Sequence, residues 1–242
     1  MTLILSAFNG ELTACIDALH DRKKNKIPVG MNKDIYYTSG LTAEGKPVAA
    51  AIAGIGKINS FISTSTLISE CRPDNIVFIG IAGAVDSALK IGDVVLSDSI
   101  TQYDMDYLEE KVIAGGIPGP ADKVISTDKK LTAELAAAVG VLQGRGVFQR
   151  TLITGCTGSA DIYLTPELHK VYSDVFIRRE VLAVDMEGFT SAAAARMSRI
   201  PFAQIRIISD EADGTKPDVS AFREFMRSTS ADLALIIAEL LS

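Results

Sequence analysis

A single α/β domain is the fold class that this 242-residue chain predicts, and three observations carry the prediction. The first is the unit Val181 to Asp213, in which two short apolar runs flank one alanine-rich stretch and each ends in a carboxylate. Val181-Leu182-Ala183-Val184 and Phe202 to Ile208 read as strands buried on both faces, and Gly188 to Arg199, closed by Pro201, reads as the helix between them. The second is the recurrence of short apolar runs that pass through small-residue turns, most of them into helical patterns. The third is length and composition: 48% apolar and 22% charged residues suit one globular domain spanning residues 1–242. If the two strands of the opening unit are a parallel pair with a right-handed crossover, both carboxyl ends meet one sheet edge and bring Glu187 and Asp210 together.

From the amino end, Leu3 to Phe8 reads as a first strand. Asn9 is placed as the N-cap of a helix whose apolar positions are Leu12, Cys15, Ile16 and Leu19. Glu11 therefore stands between a strand's carboxyl end and a helix's amino end, where open α/β sheets bind ligands, although by itself it reads more simply as a first-turn acid complementing the helix dipole. Asp34 to Ser39 and Pro47 to Ile52 read as a hairpin leading into Gly54-Ile55-Gly56-Lys57 and a helix over Ile58 to Cys71. This glycine pair has neither the GxxxxGK[ST] nor the GxGxxG spacing. Asn75 to Ile79 is a strand that ends in the small-residue turn Gly80 to Ala84, and Val94-Val95-Leu96 is the next strand.

Tyr107 to Asp128 reads as a long loop, with a run of glycine and proline at Gly115 to Pro120. A surface helix follows over Lys129 to Leu142, then a strand over Gly146 to Thr154 and a third small-residue turn over Gly155 to Asp161. Pro166 to Tyr172 is a short helix, Asp213 to Pro217 a turn, and Ser220 to Leu241 a long closing helix.

Composition excludes several function classes. The formal charge is −6 and the basic residues are scattered apart from Arg22-Lys23-Lys24 and Lys26, so nucleic acid is not an expected partner. No apolar run approaches the ~18 residues of a membrane span, and the amino terminus lacks a basic leader, so a membrane association is not expected and the cytoplasm is the expected compartment. Cys15, Cys71 and Cys156 are widely spaced and form no CxxC. With only His20 and His169 besides, no metal site or serine-histidine triad is expected.

Taken in order, Gly54-Ile55-Gly56-Lys57, Gly80-Ile81-Ala82-Gly83, Leu89 to Val95, Val184-Asp185-Met186-Glu187 and Arg206 to Asp213 resemble the nucleoside phosphorylase and nucleosidase superfamily. The resemblance covers nearly the whole chain and is strongest to 5′-methylthioadenosine/S-adenosylhomocysteine nucleosidases. It implies a three-layer domain with a central twisted mixed sheet between helices, no cofactor, a homodimer, and hydrolysis of a purine N-glycosidic bond. Glu11 would deprotonate the attacking water, Glu187 would grip the ribose hydroxyls with Met186 beside the sugar, and Asp210, supported by Ser209, would protonate the purine. Arg206 would lie near the water and the ribose. Ile55, Ile81, Ala82, Gly83, Asp161, Ile162, Asp185 and Phe222 fall at substrate-binding positions, and Tyr103 to Tyr107 would lie near the 5′ pocket.

The sequence departs from the family pattern at three places. Ile81 stands where the family carries a serine, Asp185 where it carries a glutamate, and Asp161 or a neighbour where it carries a base-stacking phenylalanine. Phosphorolysis is the competing chemistry, but no arginine stands beside Gly80 to Gly83 or near Asn9-Gly10-Glu11 to hold a phosphate. A nucleoside-binding protein without turnover is the alternative of another class.

Overall fold

The computed structural model describes residues 1–30, 34–105, 124–211 and 219–242, and all structural statements refer to these. The strands are β1 (Thr2–Ser6), β2 (His20–Pro28), β3 (Asp34–Leu41), β4 (Pro47–Ile52), β5 (Asn75–Ala84), β6 (Val94–Gln102), β7 (Val124–Ser126), β8 (Leu152–Ser159), β9 (Val181–Asp185) and β10 (Phe202–Asp210). The helices are α1 (Asn9–Asp17), α2 (Lys57–Cys71), α3 (Lys129–Gly144), α4 (Pro166–Arg178), α5 (Gly188–Met197) and α6 (Val219–Leu240). The strands form one 10-stranded mixed sheet, and no helix is long and apolar enough to cross a membrane.

Side-chain alternation along the strands divides the core between two faces of the sheet. Leu3, Leu5, Ile76 and Phe78 pack with Leu67 of α2 and Ala192 and Ala195 of α5, while Ile4, Val77, Ile79 and Ile205 pack with α1, α3 and α6 through Leu12, Leu135, Val139 and Leu233. The result is the expected α/β arrangement of a mixed sheet between helices. The small side chains of α5 let it lie close to α2, where Ser60 meets Thr190 at 2.6 Å and Thr64 meets Ser191 at 3.0 Å.

The topology places the site. Strands β4, β1, β5 and β10 run parallel, so their carboxyl ends share one edge. Strand β10 also pairs with β6, and the order β10-β6-β8-β9-β5 returns to β10 through the β10–β5 pairing, so these strands close into a ring. Within the ring β9 is antiparallel to β5 whereas β10 is parallel to it. The expected parallel pairing of β9 with β10 is therefore overturned: the two strands run in opposite senses on either side of β5. Their acids still converge because Gly83 is the register partner of both Val184 and Asp210.

Other expectations shift for local reasons. Gly80 to Ala84 is the last part of β5 and not a turn, because β10 pairs with it through Gly83 on one side and β9 pairs with Gly83 and Ala84 on the other. The strand expected at Gly146 to Thr154 lies later, at β8, and takes up the glycine-rich stretch through Ser159. Gly155 and Gly158 sit against Leu182 and Tyr103 so closely that a side chain on either would collide. Helix α4 runs to Arg178, past the expected end at Tyr172. Phe8, in extended conformation, is the N-cap of α1, and Asn9 is its first residue.

The lysine-rich segment given no strand in the sequence is β2, an exposed edge strand paired with β3; charged side chains on such an edge oppose pairing with another chain. Part of the expected Tyr107 to Asp128 loop is β7, and Asp128 caps α3 by accepting a hydrogen bond from the Leu131 N–H. Residues 107–123 of that loop and the Asp213 to Pro217 turn lie outside the described residues.

Candidate active site

The parallel strands deliver their connections to one rim, and a cavity of about 680 Å³, counted to its open mouth, lies there. The charged residues lining it are Glu11, Asp185, Glu187 and Asp210. No lysine or arginine is among the described lining residues.

Glu11 enters from the first turn of α1. Its side chain is 1% exposed, and its carboxylate accepts the N–H groups of Ala7 at 2.8 Å and Phe8 at 3.3 Å through Oε2 and that of Ile81 at 2.9 Å through Oε1. The group thus caps its own helix and also faces the site. Burial pushes its pKa up, and the Arg206 charge and these N–H groups oppose the rise. A desolvated carboxylate of raised pKa is a better base than an exposed one.

Arg206 is 0% exposed and lies under the cavity without lining it. Its Nε and Nη2 donate to Oδ2 of Asp185 at 3.0 and 2.7 Å, and its guanidinium sits 4.4 Å from the centre of the Phe78 ring. Nη1 has no hydrogen-bond partner. It approaches the Cα of Gly80 beside Oε1 of Glu11, so a methyl group at Gly80 would overlap both.

Asp185 is more enclosed than its substrate-binding assignment implies. Besides Arg206, it accepts from Gln204 at 3.1 Å, from the backbone of Glu187 at 3.2 Å and Gly188 at 3.1 Å, and from the Ser159 hydroxyl. These bonds join β8, β9, α5 and β10 beneath the site. Asp185 engages two of the guanidinium nitrogens of Arg206 through the single oxygen Oδ2.

Glu187 immediately precedes α5 and is 5% exposed. Its Oε1 accepts the Gly56 N–H at 2.9 Å. Burial, with Asp185 nearby, pushes its pKa up to about 7 against the opposing charge of Arg206. Across the cavity, the Ser209 hydroxyl donates to Asp210 at 2.7 Å, with the Ala82 carbonyl 3.3 Å away. The register shift between Ile208 and Asp210 occurs at this serine, at the end of β10.

Of the expected substrate-binding residues, Ile55, Ile81, Ala82, Gly83, Ile162, Asp185, Met186 and Ser209 line the cavity. Phe222 does not; it lines a separate groove between α1 and α6 with Thr13, Asp17 and Met226. Asp161 also lies off the cavity, exposed, with its carboxylate on the Lys57 N–H at 2.7 Å. Two residues on, Tyr163 supplies an aromatic residue to the cavity lining, followed by Leu164. Sequence reasoning missed both, along with Ala7 and Phe8. The signal for Tyr163 was present, since it is the nearest aromatic residue after Asp161.

Residues 2–242 match the sequence profile described as the phosphorylase superfamily. The 5′-methylthioadenosine/S-adenosylhomocysteine nucleosidase of Bacillus velezensis is 31% identical over 228 residues, covering 94% of this chain and 92% of that protein. The crystal structure of the Neisseria meningitidis enzyme of the same name, in complex with methylthio-immucillin-A, matches with a TM-score of 0.82 at 26% identity, covering 99% of this chain and 97% of that one. The futalosine hydrolase of Helicobacter pylori, at 22% identity and a TM-score of 0.81 over 99% of this chain and 96% of that one, shares the fold. The chain accordingly belongs to the phosphorylase superfamily and, within it, to the family of 5′-methylthioadenosine/S-adenosylhomocysteine nucleosidases.

Proposed function

We propose that the protein hydrolyses the N-glycosidic bond of 5′-methylthioadenosine and S-adenosylhomocysteine, releasing adenine and the corresponding 5-thio-substituted ribose. The observation that carries this reading is the charge on the cavity wall: carboxylates from α1, from the β9–α5 junction and from β10, with no cation among the described lining residues. A phosphate dianion would meet that wall with repulsion, whereas water and a ribosyl cation would not.

Loss of a purine leaves negative charge on the base and positive charge on the sugar. Asp210, oriented by Ser209, delivers a proton to the purine imidazole ring as the bond breaks; positioned proton transfer of this kind contributes about 10²–10⁴ in rate. Glu187 accepts the ribose hydroxyls, and its carboxylate stabilises the developing positive charge on the sugar. Glu11 takes the proton from the attacking water, which forms the new C–O bond at the anomeric carbon. Arg206 holds Asp185 from below, and its charge acts on Glu11 from beside Gly80. Tyr163 offers a ring face to the purine, and Ile81 makes the wall near the reacting centre apolar.

A panel of methylthioadenosine, S-adenosylhomocysteine, adenosine, inosine and futalosine, assayed for base release, tests the substrate. Preference for the two 5′-thioadenosines is expected, and preference for inosine or futalosine would overturn the assignment.

We also propose a cytoplasmic homodimer, the assembly that the sequence resemblance implies. Ile58, Phe61 and Ile62 leave an apolar face of α2 exposed beside the cavity residue Ile55. Such a face suits a second copy of the chain. Sedimentation equilibrium should give twice the chain mass of 25.8 kDa, and a monomer at all concentrations would remove the dimer.

A further inference from the structure

Helix α2 begins at a glycine with no side-chain cap, yet two of its first N–H groups are taken by carboxylates from other parts of the chain. Gly56 donates to Glu187 at 2.9 Å and Lys57 donates to Asp161 at 2.7 Å. Gly56 has φ of +88°, a conformation open to glycine and strained for other residues, so its own preferences do little to fix where its N–H points. The neighbouring residue, Lys57, is held from outside the turn. The Lys57 ammonium reaches both oxygens of Asp104, at 2.8 and 2.7 Å, and the Asp161 N–H donates to the same Asp104 at 3.1 Å. Three segments, after β4, after β6 and after β8, are thus tied into one clamp outside the cavity.

We propose that Asp161, locked by the Lys57–Asp104 ion pair, is a positioning residue that aims the Gly56 N–H at Oε1 of Glu187 and so presents the other carboxylate oxygen to the ribose. Asp161 touches no reacting atom and acts through the glycine turn. The inference deepens the proposed function and rests on the ribose role of Glu187.

The probe is formycin A, an adenosine analogue whose sugar is joined to the base through carbon and is not hydrolysed. Its dissociation constant is measured by calorimetry for the wild type, Asp161→Ala, Asp161→Asn, Glu187→Gln and the Asp161→Ala/Glu187→Gln double variant, with thermal unfolding recorded for each. Asp161→Ala is expected to weaken binding about 10-fold, Asp161→Asn, whose amide oxygen still accepts the Lys57 N–H, by no more than about 2-fold, and the double variant by no more than about 2-fold beyond Glu187→Gln, because contacts in one chain of bonds are not additive. Lys57→Met, which cuts the clamp from its other side, should behave like Asp161→Ala. Wild-type affinity in Asp161→Ala, or full additivity in the double variant, overturns the inference while leaving the ribose reading intact. Wild-type affinity in Glu187→Gln overturns the ribose reading and the inference with it.

Discussion

Two buried carboxylates, Glu11 and Glu187, share one arginine that is itself committed to a third, Asp185. Neither is fully compensated, and this has a measurable consequence for Glu187, whose pKa stands near 7 against an ordinary 4.5. Below about pH 4.5 the group is protonated in both the folded and the unfolded chain. Between there and about 7 only the folded chain keeps the proton, so the stability this group contributes is lost as pH rises through that window. Glu187→Gln, neutral at every pH and still able to accept the Gly56 N–H, is expected to raise the thermal unfolding midpoint at pH 8 by an amount equivalent to about 1–3 kcal/mol. The advantage should shrink toward pH 5. A gap independent of pH would show that Glu187 is ionised throughout.

At the scale of elements, β5 is the part on which the site depends. It pairs with β1 and β10 in parallel and with β9 in antiparallel, and its glycine end lets the side chains of Arg206 and Glu11 both approach Gly80. Gly80→Ala would drive a methyl group into both side chains, and overpacking in a closed interior costs about 1–3 kcal/mol. The variant is expected to lower kcat by at least about 100-fold by displacing Glu11, the proposed catalytic base, since small misplacements at a reacting centre carry penalties of that order. Far-ultraviolet circular dichroism should remain unchanged, and near-normal kcat would contradict the proposed role of Glu11 beside Gly80. The sequence made the strand cores and most helices legible because apolar periodicity reports burial directly. It could not show that Gly80 to Ala84 stays in the sheet or that Gly155 to Ser159 is a strand. Glycine-rich segments carry no periodicity, and their pairing is decided by β9, β10 and β6, far away in sequence. Asp161 misled for a related reason: its partner, Lys57, is 104 residues away, and only the fold brings the two together.

The whole molecule is a sheet that is open on one side and closed into a ring on the other, with the cavity where the parallel strands of the open side meet the rim of the ring. Glu187 and Asp210 were legible as a pair, but the reason given by the parallel crossover was not the one the fold uses. They converge because β9 and β10 approach Gly83 from its two sides, with β9 reversed. That arrangement surrounds one small volume with acids from three parts of the chain and leaves the wall without a cation among the described residues, so the site is built for water as nucleophile. The most direct test is the fate of the ribosyl carbon when methylthioadenosine is turned over in phosphate-free buffer made with oxygen-18 water. Adenine release at the same rate with or without phosphate is expected, with methylthioribose carrying the heavy oxygen at its anomeric position. Failure to turn over until phosphate is added, with a ribosyl phosphate as the product, would contradict it.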